Sequence, residues 1–167
     1  MNVVSYVLSL IPSKTAYAHC DIPCGVYDPT PLQIAAHTVI RMTQMLEEVS
    51  ASSKEPPFEE RKRIISQISR LTHVKEKHGE LVEEELDTLE NDYFKPEYHK
   101  EFPELKELIS NAVKLSITVR QNIDIDSAQK LLATVQKIAE IFYKTKDFEP
   151  VRIPSGYPTN GEIVSHK

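Results

Sequence analysis

An all-α, up-down antiparallel four-helix bundle is the fold class that this sequence predicts, with a short metal-binding hook ahead of it. Three observations point to the bundle. Four stretches repeat apolar residues at three- and four-residue spacing, as one face of a helix requires. The segments between them are short, which favours antiparallel neighbours. No stretch alternates apolar and polar residues as a half-buried strand does.

Composition agrees with a single globular unit. Hydrophobic residues make up 40% and charged residues 27% of 167. The formal net charge is −5, so there is no basic footprint for nucleic acid. No apolar run approaches the roughly 18 residues that a membrane span needs.

Residues 1–18 read as a leader removed on maturation. Val3 to Ile11 is mostly apolar, and Ala16-Tyr17-Ala18 resembles a small-x-small cleavage signal. No positive charge precedes the apolar run, which weakens a reading as an export signal. A cytoplasmic protein is the expectation, with export as the alternative.

Residues 19–29 form the hook. His19-Cys20-Asp21-Ile22-Pro23-Cys24 holds the only 2 cysteines of the chain, with a histidine directly before the first. Thiolates are soft ligands, and imidazole suits nickel, copper, zinc or iron. Pro23 lacks an N–H and biases Ile22 towards extended backbone, so a loop wrapped round an ion fits better than a helix. Gly25 lets the chain turn sharply on leaving. A cut between Ala18 and His19 would free an α-amine. Amine, deprotonated Cys20 amide and two thiolates would then give four donors in a plane, a geometry that points to Ni(II) or Cu(II) and away from tetrahedral zinc. The spacing alone leaves open a Cys20–Cys24 disulfide in an exported protein, or two idle thiols.

The bundle spans 30–146. Helix one begins at Thr30 with Pro31 at the first helical position, and Leu32, Ala35, Val39, Met42, Leu46 and Val49 make its apolar face. Residues 50–57 connect it to a long helix two, Phe58 to Leu89, with a stripe of Ile64, Ile68, Leu71, Val74, His78, Leu81, Leu86 and Leu89. Gly79 is expected to bend or weaken this helix, at about 1 kcal/mol relative to Ala. Glu80 and Glu83-Glu84-Glu85 read as a solvated face. Asn91 to Phe102 reads as a loop. Helix three starts near Pro103, with Leu105, Leu108, Ala112, Leu115 and Val119 inward. Asp126 is the expected N-cap of helix four, which presents Leu131, Val135, Ile138 and Phe142. Residues 147–167, with Pro150, Pro154 and Pro158, read as an irregular tail.

Two functions are excluded by pattern. None of the six histidines has a glutamate three residues before it, so the di-iron Glu-x-x-His motif is absent. There is no Gly-rich phosphate loop among only 4 glycines.

The block His19-Cys20-Asp21-Ile22-Pro23-Cys24-Gly25-Val26-Tyr27-Asp28-Pro29 resembles the nickel hook of the nickel-dependent superoxide dismutases. Asp92-Tyr93-Phe94-Lys95-Pro96 is similar to the second signature of that family, and the resemblance runs from His19 to about Lys146. It implies a leader removed immediately before His19 by a dedicated peptidase, and one nickel ion per subunit. The implied ligands are the α-amine and imidazole of His19, the amide and sulfur of Cys20 and the sulfur of Cys24. It further implies a Ni(III)/Ni(II) cycle that disproportionates superoxide to O₂ and hydrogen peroxide, the imidazole binding in the oxidised state, and a cytoplasmic homohexamer with hooks at subunit contacts.

By the same resemblance Tyr27 and Tyr93 stand beside the open face of the metal and order water or anion, and Asp21 fixes the hook through backbone hydrogen bonds. From the residues alone, ordinary packing accounts for either tyrosine. A net negative protein must attract superoxide locally, and Lys95 is a candidate for that. Members of the family can carry a Glu and an Arg that hold the axial histidine. Ala35 and His78 occupy those positions here, so the support of His19 differs or another residue supplies it, with His37 and His78 as candidates; the bland reading is that both are solvated helix histidines, and it fits His37 better. Residues without the resemblance also admit a non-catalytic nickel or copper carrier.

Overall fold

The computed structural model describes residues 25–167. Residues 1–24, and with them the leader and most of the hook, lie outside the described residues. Four long helices form the bundle: α1 (Thr30–Glu47), α2 (Phe58–Thr88), α4 (Leu105–Gln121) and α5 (Ile125–Lys144). Between α2 and α4 the chain makes one π-helical turn (Leu89–Tyr93) and a short helix α3 (Pro96–Glu101), where a plain loop was expected. α1 packs on α2 and α5, α2 on α4, and α4 on α5, closing the bundle. No helix among the described residues is long and apolar enough to cross a membrane.

α1 starts at Thr30 with proline in its first turn, as the sequence predicts. The Thr30 amide donates to Asp28 Oδ1 at 2.7 Å, which satisfies one of the amides that a helix start leaves open. Leu32, Ala35, Ala36, Val39 and Ile40 are buried on its inner face.

α2 differs from its predicted stripe. Its buried positions are Leu71, Lys75, Gly79, Val82 and Leu86, a line that includes a lysine and a glycine. Both have a reason in the crossing with α4. The Lys75 ammonium, 2% exposed, donates to the carbonyls of Val119, Arg120 and Asn122 and so caps the C-terminus of α4. Gly79 does not interrupt the helix, which runs unbroken to Thr88. It sits in close contact with α4: a Cβ there would collide with Cγ and Cδ of Arg120, while Ser116 Oγ donates to the Gly79 carbonyl at 2.9 Å. Glu80 and Glu83 are not merely solvated; with Glu76 they receive the Arg120 guanidinium at 3.0–3.4 Å. The first turns of α2 overhang the bundle, leaving Phe58, Ile65 and Ile68 exposed.

The cap of α5 is Asp124, two residues before the expected Asp126. Its Oδ1 accepts from the Ser127 amide at 3.0 Å and its Oδ2 from the Ser127 hydroxyl at 2.5 Å.

The expected irregular tail is instead a β-hairpin, β1 (Pro150–Pro154) and β2 (Glu162–His166), paired antiparallel with Arg152 opposite Val164. The prolines hid it. The Lys167 amide donates to Glu149 O, and the Ser155 amide to Gly161 O. Because bonded and non-bonded pairs alternate in an antiparallel ladder, Val151 and Ile153 carry the cross-strand bonds. Pro150 and Pro154 therefore face away from β2, where a missing N–H loses nothing. The hairpin docks on α1 and α5 through Val164, which is fully buried.

Candidate metal centre

The predicted ligands His19, Cys20 and Cys24, and the hook-fixing Asp21, lie outside the described residues. The structure describes the root of the hook and what it meets. Gly25 has φ +87°, the left-handed turn expected of it. Among the described residues no group of three His, Cys, Asp or Glu side chains could hold a metal ion. The hook expected from the sequence offers two thiols, an imidazole and backbone nitrogens, donor types that suit nickel.

The fold brings Tyr27 and Tyr93 together, their ring centroids 5.5 Å apart and tilted by 53°. Tyr93 lies in the π-helical turn and is packed on three sides: Tyr98 stacked at 5.9 Å, Phe142 at 4.5 Å and Phe94 edge-on at 5.2 Å. Its hydroxyl lies 2.7 Å from Thr145 Oγ1. The Thr145 hydroxyl donates to the Phe142 carbonyl at 2.7 Å, so in this pair Tyr93 is the donor. Burial pushes the Tyr93 phenol above its ordinary value.

Lys146 joins the tyrosine pair from the end of α5. Its ammonium donates to the Tyr27 carbonyl at 3.3 Å and lies over the rings of Phe142, at 4.5 Å, and Tyr93, at 5.6 Å. Phe142 is four residues away, but Tyr27 and Tyr93 are brought to it from far along the chain, so no local pattern marks its place beside the tyrosine pair. Lys95, the candidate for anion attraction, is exposed at the start of α3. Beside the root, burial pushes Glu85 up, with further contributions from Glu84 and then Asp28. Burial pushes Tyr143 up in the same way.

Both candidates for supporting an axial imidazole make hydrogen bonds within the described residues. His37 is 3% exposed, not solvated. Its Nδ1 meets Thr159 Oγ1 at 2.8 Å and its Nε2 meets the Glu162 carbonyl at 3.2 Å, so both ring nitrogens are engaged by the hairpin. His78 Nδ1 lies 2.9 Å from the Val74 carbonyl one turn back on its own helix. Ala35 is a buried core residue.

Residues 14–146 match the model of the family described as nickel-containing superoxide dismutase. This chain belongs to the nickel-containing superoxide dismutase family. Curated relatives named superoxide dismutase [Ni] agree. That of Streptomyces coelicolor is 34% identical over 135 residues, and that of Streptomyces seoulensis 36%, each alignment covering 81% of this chain and 93% of the relative. Among solved structures, a native nickel superoxide dismutase superposes with TM-score 0.63 at 31% identity, over 77% of this chain and 99% of its own. Another, whose nickel ligation corresponds to the oxidised state, gives 0.64 at 33%. Both the helical bundle and the nickel cofactor expected from the hook are thus those of the family. The matched region of this nickel-containing superoxide dismutase family member stops at Lys146, immediately before the hairpin.

Proposed function

We propose that this chain disproportionates superoxide at a nickel ion held by His19, Cys20 and Cys24, with Tyr27 and Tyr93 lining the approach and Asp21 bracing the hook. Membership of the family carries the activity. The observation that supports the residue roles is the pairing of Tyr27, three residues after Cys24, with Tyr93 of the second signature. Nickel bound by these donors supplies a one-electron couple that thiolate and amide ligation brings within reach of superoxide.

The chain's own groups do the rest. One superoxide gives up an electron and leaves as O₂; a second takes an electron and two protons and leaves as hydrogen peroxide. Tyr93 is a neutral phenol, which burial pushes further from ionisation, so the approach carries no tyrosinate to repel the anion. Lys146 fixes the Tyr27 carbonyl and places a positive charge beside the rings. In a protein of net charge −5 such a local cation draws the substrate in.

Maturation and assembly belong to the same reading. A peptidase removes residues 1–18 and frees the His19 amine. The cytoplasm keeps both cysteines reduced. Six subunits assemble with their hooks at the contacts, and the exposed Phe58, Ile65 and Ile68 of the α2 overhang support a subunit interface there.

The test is made on protein matured in its native host: intact mass, nickel content and superoxide turnover. An N-terminus at His19, about one nickel per chain, and loss of both metal and turnover in Cys20→Ser are expected. A correctly cut, nickel-loaded chain without turnover would make it a metal carrier.

A further inference from the structure

The hairpin lies beyond the matched region, yet it is fastened to α1, which follows directly on the Tyr27 root of the hook, and to α5, after whose end Thr145 and Lys146 hold Tyr93 and Tyr27. Gln33, in the first turn of α1, is fully buried. Its Oε1 accepts from the Val164 amide at 2.8 Å, and its Nε2 donates to the Val164 carbonyl at 3.0 Å. The side-chain amide thus takes the place of a further strand beside β2, whose groups at Val164 face away from β1 and would otherwise be buried without partners. The same Nε2 reaches the Pro29 carbonyl at 3.5 Å, two residues after Tyr27.

On its other side the hairpin is held by α5. Gln136 Nε2 donates to the Glu162 carbonyl at 2.6 Å, and the Tyr143 and His166 rings meet at 4.9 Å. Directly after this stretch of α5 come Thr145, which holds the Tyr93 hydroxyl, and Lys146, which holds the Tyr27 carbonyl. A Met or Leu would fill the volume of Gln33 with less desolvation cost; an amide is needed there because a strand edge arrives.

We infer that Gln33 is a positioning residue for the superoxide reaction: through Val164 it makes the C-terminal hairpin a brace that fixes the root of the hook, Tyr27 to Pro29, against the end of α5. The brace sets the pairing of Tyr27 with Tyr93, and its catalytic consequence rests on the reading of those tyrosines as site residues.

Gln33→Glu in the full-length chain tests this. The introduced carboxyl, when neutral, keeps both bonds to Val164, one as acceptor and one as donor; when ionised it keeps only the acceptor and faces the carbonyls of Val164 and Pro29 with a charge. Amide exchange is followed first without metal, from about pH 5 to about pH 8, a range in which a buried glutamate can titrate, always against wild type at the same pH. Over 25–33 and at 93–94 it should match wild type at the acid end and run about tenfold faster at the other. Superoxide turnover of the nickel-loaded variant should fall about tenfold over the same range, in kcat more than in KM. Gln33→Met should show the faster exchange at every pH. Acceleration confined to 150–167 in both variants would overturn the inference and leave the hairpin a separate stability element. Inactivity of the nickel-loaded wild type would sink the dismutase reading and the catalytic consequence together, while the metal-free exchange still decides whether the brace exists.

Discussion

The Tyr93 hydroxyl donates to Thr145 Oγ1 across 52 residues of sequence, at 2.7 Å. That bond joins the second signature to the end of the last helix and holds the phenol in a site where burial keeps it protonated.

Stability should therefore fall in alkali. Tyr93 has a folded pKa raised above the ordinary value of 10.0, and Tyr143 is raised as well. Their contribution is complete below that value and is lost as pH rises through the raised folded values. Denaturant unfolding above about pH 10 should show this decline, and Tyr93→Phe should flatten it. An unchanged slope in Tyr93→Phe would mean that this phenol is not the group responsible.

Lys146→Met keeps the stem over Phe142 and removes the charge. Superoxide kcat/KM should drop by about tenfold, and its dependence on ionic strength should weaken. Nickel content should stay at the wild-type level. Equal salt dependence in variant and wild type would remove Lys146 from the attraction of substrate and leave Lys95 as the cation to test.

Gly79→Ala should destabilise the fold by about 1–3 kcal/mol, the range for overpacking, even though alanine favours a helix by about 1 kcal/mol over glycine. The cause is the collision with Arg120. Combining it with Arg120→Ala should recover much of the loss, because the obstructing side chain is gone. Thermal or urea unfolding of the double-mutant cycle reads the coupling.

The hairpin should loosen in acid. Burial lowers the pKa of His37 from its ordinary 6.5, against a smaller opposing effect of the Glu162 carbonyl. The stability it supports is present above 6.5 and is lost as pH falls through the lowered folded value. Amide exchange at 157–164 should accelerate there in wild type and lose this pH dependence in His37→Phe. Identical acid behaviour in the two would place the sensitivity elsewhere.

Periodicity alone made much of this molecule legible. The start of α1 follows from Thr30-Pro31, and the inner faces of α1 and α5 follow largely from apolar spacing. On α4 the spacing finds Leu105, Ala112 and Val119, but Leu108 and Leu115 are only half-buried and Ile109 and Ser116 complete the inner line, Ser116 because it bonds the Gly79 carbonyl. The inner line of α2 did not follow. Lys75 and Gly79 break the apolar rule, one to cap a distant helix and the other to admit it. The hairpin was missed because its prolines carry the signature of irregular chain until the register shows that they face away from the ladder. His37 looked like a surface residue because nothing nearby in sequence announces the strand that covers it.

By itself, the sequence determined the four helices and a cysteine-histidine block fit to bind a soft metal, since both depend on residues adjacent or periodic along the chain. Only the tertiary structure decided that Tyr27 meets Tyr93, that Lys146 lies over the rings, and that Gln33 receives a strand edge. Tyr27 and Tyr93, Lys146 and Tyr93, and Gln33 and Val164 are each far apart in sequence, and distance along the chain carries no record of which side chains a closed bundle will press together.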